Sequence, residues 1–169
     1  MANRKGIIFP FRSKLLKAKN PYERTDFVNR VAVVYWSGTG NTEKMAELVA
    51  EGVVAAGGRA DIFTAAEFTK EMVQNYKALA FGCPSMGVEE LEDTEFEPMF
   101  SSVKEFLKGK VIGLFGSYDW GDGEWMRNRV ADCEDYGLTL INDGVIANNE
   151  PDDEAAENCR ALGAALAKA

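Results

Sequence analysis

Six consecutive residues, Ser37-Gly38-Thr39-Gly40-Asn41-Thr42, place four hydrogen-bonding side chains around two glycines. That combination suits the holding of a phosphate. Ser37, Thr39, Asn41 and Thr42 supply neutral donors, while Gly38 and Gly40 let the backbone turn its amides toward one point. The loop contains no Lys or Arg, so an anion there depends on neutral donors and on the amino terminus of a following helix. A Walker A loop requires G-x-x-x-x-G-K-[ST], and its lysine is missing; the G-x-G-x-x-G spacing of dinucleotide folds is absent too. The chain has no histidine, which removes Ser-His-Asp and Cys-His nucleophilic catalysis and argues against a transition-metal site. Cys83, Cys133 and Cys159 are odd in number and form no C-x-x-C pattern, so neither a disulfide framework nor an iron–sulfur or zinc site is indicated. A reducing compartment suits them. The reactive chemistry therefore belongs to a bound cofactor.

Two further segments carry residues whose placement calls for a ligand. Cys83-Pro-Ser-Met-Gly-Val-Glu-Glu-Leu-Glu-Asp93 and Gly116-Ser-Tyr-Asp-Trp-Gly-Asp-Gly-Glu-Trp125 both read as loops after strands. A Met beside a Gly, and a Tyr and a Trp among glycines, are costly at a water-facing loop unless they cover something flat and partly apolar. An aromatic cofactor ring is such a partner.

The elements that position these loops alternate between strand and helix patterns from Val31 onward, the signature of a parallel sheet with crossover helices. Val31–Trp36 reads as a strand buried on both faces and opens directly into the Gly-rich loop. Met45, Leu48, Val49, Val53 and Ala56 then recur at helical spacing, with Gly57-Gly58 as a stop. Ala60–Thr64, Ala78–Gly82 and Val111–Gly116 read as further strands, and Leu138–Ala147 as a fifth that is interrupted at Asn142-Asp143-Gly144. A weak helix lies between the second and third strands. Met126, Val130 and Cys133 share one face of a later helix, as do Ala155, Cys159, Leu162 and Leu166 of the last. Five strands and about five helices make a three-layer α/β/α sandwich, whose ligand crevice lies at the carboxyl ends of the strands. With 46 % apolar residues in 169, one domain has enough core to fold.

Charge divides the chain. Residues 1–30 hold eight Lys or Arg against two acids, and residues 31–169 hold eleven against twenty-five. The expected organisation is a basic, flexible N-terminal extension over 1–30 and one acidic domain over 31–169. Such a domain repels nucleic acid and attracts partners with basic faces. No apolar run approaches the roughly 18 to 20 residues of a membrane span, and Ile7-Ile8-Phe9 is too short for a secretory core, so the expected location is the cytoplasm.

Five segments in order, Tyr-Trp-Ser-Gly-Thr-Gly-Asn-Thr (35–42), Gly-Cys-Pro-Ser-Met-Gly (82–87), Glu-Leu-Glu-Asp (90–93), Gly-Ser-Tyr-Asp-Trp-Gly-Asp-Gly (116–123) and Asn-Glu-Pro-Asp (149–152), closely resemble the short-chain bacterial flavodoxins. The resemblance runs from Val31 to the C-terminus. It implies a five-stranded parallel sheet in the order 2-1-3-4-5 and a non-covalently bound flavin mononucleotide, FMN. By that resemblance residues 37–42 grip the phosphate, Met86 and Trp120 flank the isoalloxazine ring, and Asn149 lies near its ribityl and dimethylbenzene side. Pro84, Ser85, Val88, Ser117, Tyr118, Asp119 and Gly121 complete the expected contacts. Gly87 allows the peptide after Met86 to turn its carbonyl toward the flavin N5–H, and Glu89 faces the pyrimidine edge. Relatives often have glycine where Asp119 stands, so the backbone there must suit a side chain, and Asp tolerates positive φ better than most residues.

The function implied is a low-potential one-electron carrier, shuttling between neutral semiquinone and hydroquinone on behalf of other redox enzymes, and not itself an enzyme. The alternative is an NAD(P)H:quinone or FMN reductase, against which stand the covering Trp120 and the lack of an inserted substrate loop. A receiver-like signalling domain shares the fold order, but the Ser-Gly-Thr-Gly loop replaces its acid pair. Acids at 89, 90, 92 and 93, at 119, 122 and 124, and at 150 and 152–154 fall in three loops expected around the ring. Each would contribute on the order of 1 kcal/mol against added negative charge there. The expected partners are basic-faced redox proteins, and the expected state is a monomer.

Overall fold

The computed structural model describes residues 30–169. The extension expected over 1–30 therefore lies, apart from Arg30, outside the described residues. From Arg30 the chain runs β1 (Arg30–Tyr35), α1 (Asn41–Ala55), β2 (Arg59–Thr64), α2 (Lys70–Val73), β3 (Ala78–Gly82), α3 (Phe96–Val103), a 3-10 turn (Lys104–Leu107), β4 (Val111–Tyr118), α4 (Glu124–Tyr136), β5 (Thr139–Leu140), β6 (Val145–Asn148) and α5 (Asp153–Ala167).

All ladders between named strands are parallel, in the order β2-β1-β3-β4, with β5 and β6 both paired to β4. Val31 to Val34 of β1 are fully buried, as a central strand covered on both faces must be. One face packs on α1 and α5 through Met45, Val49, Cys159 and Leu162. The other packs on α3 and α4 through Phe96, Phe100, Met126 and Cys133. The order 2-1-3-4-5 and the three layers are as the sequence predicts.

The fifth strand is split, and its two parts use different stretches of β4. Thr139 and Leu140 pair with Val111 and Ile112, while Val145 to Asn148 pair with Phe115 to Tyr118. In the gap Asn142 substitutes its side-chain amide for a backbone partner. Its Oδ1 accepts from Leu114 N–H and its Nδ2 donates to Leu114 C=O, both at 3.3 Å, so neither group of that central residue is left unpaired. Pairing with β6 also carries β4 two residues beyond the Gly116 end read from sequence. Ser117 and Tyr118 consequently stand on a strand.

Helices α1 and α5 approach until backbone meets backbone. A Cβ on Gly52 would lie 1.9 Å from the Arg160 carbonyl oxygen, and one on Gly163 1.9 Å from that of Val49. The pair of glycines sets this separation and thereby the position of the α1 amino terminus. At the opposite end of the sheet from that terminus, Asp61 is fully buried and accepts from Arg30 and from the Tyr76 hydroxyl, each at 2.8 Å.

Candidate functional site

Three loops at the carboxyl edge of the sheet enclose a cleft of about 210 Å³. The first joins β1 to α1. Gly40 stands at the N-cap with φ 97° and ψ −9°, and among the described residues no side chain caps the helix. The amides of the first turn of α1 are thus left for a ligand, with the helix dipole favouring negative charge. Ser37 braces the loop by accepting from Gly40 N–H at 3.0 Å. Ser37, Gly38, Thr39, Asn41 and Thr42 line the cleft, whereas Gly40 shapes the loop without lining it.

Thr42 is less available than its sequence position suggests. It is 1 % exposed, its Oγ1 accepts from Ser117 N–H at 3.3 Å, and it lies 2.7 Å from Ser117 Oγ. One hydroxyl of this pair donates to the other, so a single O–H remains for a ligand. The pair ties the phosphate-type loop directly to the end of β4.

The second loop extends the ladder outward through Cys83 N–H to Phe115 C=O and Ser85 N–H to Ser117 C=O. It then pinches: Met86 and Glu90 exchange both backbone hydrogen bonds, at 2.7 and 2.8 Å. Between them Gly87 has φ 49° and Glu89 φ 56°. Pro84, Ser85 and Met86 line the cleft. Val88, at the tip, is 73 % exposed. Glu89 turns back to accept from Trp125 N–H at 3.3 Å, at the start of α4, and Gly121 packs so close that a Cβ there would lie 2.7 Å from the Glu89 carboxylate. Glycine at 121 is what lets the second and third loops meet.

The third loop leaves β4 at Tyr118, whose ring packs 5.5 Å from that of Trp125. Ser117, Tyr118 and Asp119 line the cleft, joined by Asn149 from the loop after β6. Asn149 N–H donates to Tyr118 C=O at 2.7 Å, and Asn148 Nδ2 to Asp119 C=O at 3.1 Å. The sequence reading singles out Asp119 for positive φ; the left-handed non-glycine residues are instead Glu89 and Asn149, the latter at φ 59°. Asp119 is not in the left-handed region, and its carbonyl accepts from Asn148. Trp120 stands clear of the cleft wall and is 58 % exposed, with Met86 at 37 %.

Of the eighteen residues expected at the site, Gly40, Gly87, Val88, Glu89, Trp120 and Gly121 surround the cleft without lining it. Trp36, absent from that expectation, does line it, and its ring underlies Gly38. The signal was present: an aromatic residue at the last position of a buried strand, adjoining the Gly-rich loop.

Several acids assigned to the rim have local work. Glu92 is 4 % exposed and accepts from the backbone N–H groups of Thr94, Glu95 and Phe96 and from the Thr94 hydroxyl. Burial pushes its carboxyl up, but these hydrogen bonds outweigh it and hold the group below the usual glutamate range. Asp152 caps α5 by accepting from Ala155 N–H at 2.8 Å. Asp122 pairs with Arg127, and Glu150 with Lys44, both at the surface. Cys83, beneath the second loop, is buried, which pushes its thiol up to about 12 and keeps it protonated.

Among the described residues no cluster of three or more potential metal ligands occurs, and no helix is long and apolar enough to cross a membrane. The residues present fit a phosphate monoester that bears a flat ring: an uncapped helix terminus, neutral donors, and exposed Met and Trp side chains beside the cleft.

A family model described as flavodoxin matches residues 33–163. The flavodoxin of Megasphaera elsdenii is 46 % identical over 139 residues, covering 82 % of this chain and 99 % of that protein. That of Clostridium beijerinckii is 42 % identical over 135 residues, covering 80 % and 97 %. The solution structure of two-electron reduced Megasphaera elsdenii flavodoxin superposes with a TM-score of 0.77, over 82 % of this chain and 99 % of that one.

Proposed function

Since the chain belongs to the flavodoxin family and is an FMN-based electron carrier, not an enzyme, we propose how its own residues hold FMN and set its redox behaviour. When bound, FMN supplies the capacity to take up and release electrons one at a time. The observation that carries the reading is the uncapped amino terminus of α1, which opens into the cleft through the Gly38–Gly40 turn.

The phosphate is held by first-turn amides of α1 and by the hydroxyls of Ser37 and Thr39, with the Asn41 amide and the one free O–H of the Thr42–Ser117 pair completing the set. No cation is required, because the helix terminus supplies the positive field. Met86, which lines the cleft, and Trp120, exposed outside its wall, become covered by the ring. Gly87, free of a Cβ, lets the peptide after Met86 turn its carbonyl toward the ring edge and accept a hydrogen bond from an N–H there. Glu89 and Gly121, packed together, hold the two ring-flanking loops at a fixed spacing. Asn149 and Tyr118, joined through their backbones, shape the wall nearest the sugar chain.

The acids expected nearest the ring that have no capping duty, Glu90 and Asp119 among them, disfavour added negative charge. The second electron is therefore taken at lower potential than the first. We further propose that residues 31–169 form the FMN-binding unit and that residues 1–30 act as a separate basic extension. Basic-faced redox proteins are the expected partners, with the carrier monomeric and cytoplasmic.

Anaerobic reductive titration of the FMN-loaded protein tests this reading. The expected outcome is two resolved one-electron steps, the second at markedly lower potential; a single two-electron step would refute it. Steady NADPH consumption with a quinone would favour the reductase alternative.

A further inference from the structure

Two hollows on the surface of the α3–α4 layer run into one another. One, of about 380 Å³, is lined by Phe100 and Tyr136 together with Glu97, Asp132 and Asp135. The other, of about 340 Å³, adds Asp93 and reaches Glu90 of the ring-flanking loop. They share Leu91, Glu97 and Asp132 and so make one groove. Phe100 is buried and Leu91 and Tyr136 half-buried, whereas Glu90, Asp93, Glu97, Asp132 and Asp135 are all exposed. Among the described residues none of these five carboxylates has an ion-pair partner. The opposing charges are Lys104, whose ammonium sits 4.3 Å over the Tyr136 ring, and Arg129, which lies beneath the surface. An apolar floor with an acidic rim suits a ligand in which basic and apolar side chains alternate.

The chain itself carries such a segment. Residues 4–19 hold six Lys or Arg and no acid, and between them stand Ile7, Ile8, Phe9, Phe11, Leu15 and Leu16. This stretch joins the described residues at Arg30, the first residue of β1. Val31, Ala78, Val111 and Thr139 are in register across β1, β3, β4 and β5, and Thr139 follows Tyr136 by three residues. Three strand spacings of about 4.8 Å place the start of β1 roughly 14 Å from that of β5, at the edge of the sheet where the groove ends. Residues 20–29 reach up to about 33–36 Å when extended. The distance is therefore well within their span.

We propose that residues 4–19 of this chain dock in the α3–α4 groove, their basic side chains on the five carboxylates and their apolar ones against Leu91, Phe100 and Tyr136. Exposed ion pairs are individually weak, but a short tether raises the local concentration of the segment to about the millimolar range. Docked there, the segment covers acids otherwise offered to basic partners. The contact lies outside the FMN cleft and does not depend on how FMN is held.

The test is paramagnetic relaxation in the full-length protein loaded with oxidised FMN, with a nitroxide on Ser13→Cys; the native cysteines are buried and stay unlabelled. At low salt the amide signals of 97–101 and 132–136 should be lost while those of α1 and α5 persist. At 1 M salt, where the screening length falls to about 3 Å, the lost signals should return. Glu97→Lys with Asp132→Lys, both at exposed positions, should restore them at low salt. Arg12→Gln, Lys14→Gln and Lys17→Gln together should do the same without altering residues 30–169. Signal loss centred on another face, spread evenly over the surface, or unchanged by the three Gln substitutions would overturn the proposal. So would loss at 97–101 and 132–136 that appears in isotope-labelled protein lacking the nitroxide when nitroxide-bearing protein is mixed in, since a second copy would then supply the occupant.

Discussion

Glu92 illustrates how a side chain of one type can be drawn into two different roles by its neighbours. It sits in a run of acids beside the cleft, yet its carboxylate closes the amino terminus of α3 by accepting from Thr94, Glu95 and Phe96. Glu92→Gln keeps the shape and loses the charge, and should cost about 1 kcal/mol at neutral pH, as loss of a cap does. Because the folded-state carboxyl is held below the ordinary value of 4.5, its contribution is fully present above that value and is lost as pH falls through the folded one. Acid titration of stability should therefore be steeper for the native protein than for Glu92→Gln below about pH 4.5. Parallel curves from chemical denaturation at several pH values would show that Glu92 contributes no charge-dependent stability.

At the scale of elements, the contact of α1 with α5 fixes where the α1 terminus stands relative to the sheet. Gly163→Ala places a methyl group 1.9 Å from the Val49 carbonyl oxygen, so the helices must separate. The expected loss is roughly 1–3 kcal/mol, the usual cost of overpacking, together with weaker FMN binding, because the displaced helix carries the cleft's amides. Thermal unfolding with and without FMN measures both. Unchanged FMN affinity alongside lowered stability would mean that the helix terminus does not move with the packing. Asn142 has a comparable role on the far side of β4, filling a break that permits β5 and β6 to use different registers of a common partner.

For the molecule as a whole, charge is the dominant long-range property, since residues 31–169 carry fourteen more acids than bases. Exposed charges act over about 8 Å at physiological ionic strength. Reduction by a basic-faced protein partner should slow steeply as salt rises, while reduction by a small uncharged donor should not. Stopped-flow rates across a salt series compare them, and equal salt dependence would remove steering from the account. The carboxylates bound as helix caps and ion pairs, at 92, 152, 122 and 150, contribute to this field but are less free to rearrange toward a partner.

The sequence by itself determined the layer architecture, the strand order through its family resemblance, and the location of the cleft. These rest on local signals: apolar runs of strand length, helical periodicity, and glycines where loops turn. It also marked Met86 and Trp120 as side chains in need of a cover. Only the tertiary structure decided which donors are free, because a hydroxyl such as that of Thr42 is available or committed according to what stands opposite, and Ser117 is seventy-five residues away. The same reason hides Trp36 in the cleft wall, Glu92 as a cap and Arg129 as a cation buried against Phe81, Phe96 and Phe100. Each depends on contacts between segments distant in the chain, which residue type and spacing do not encode.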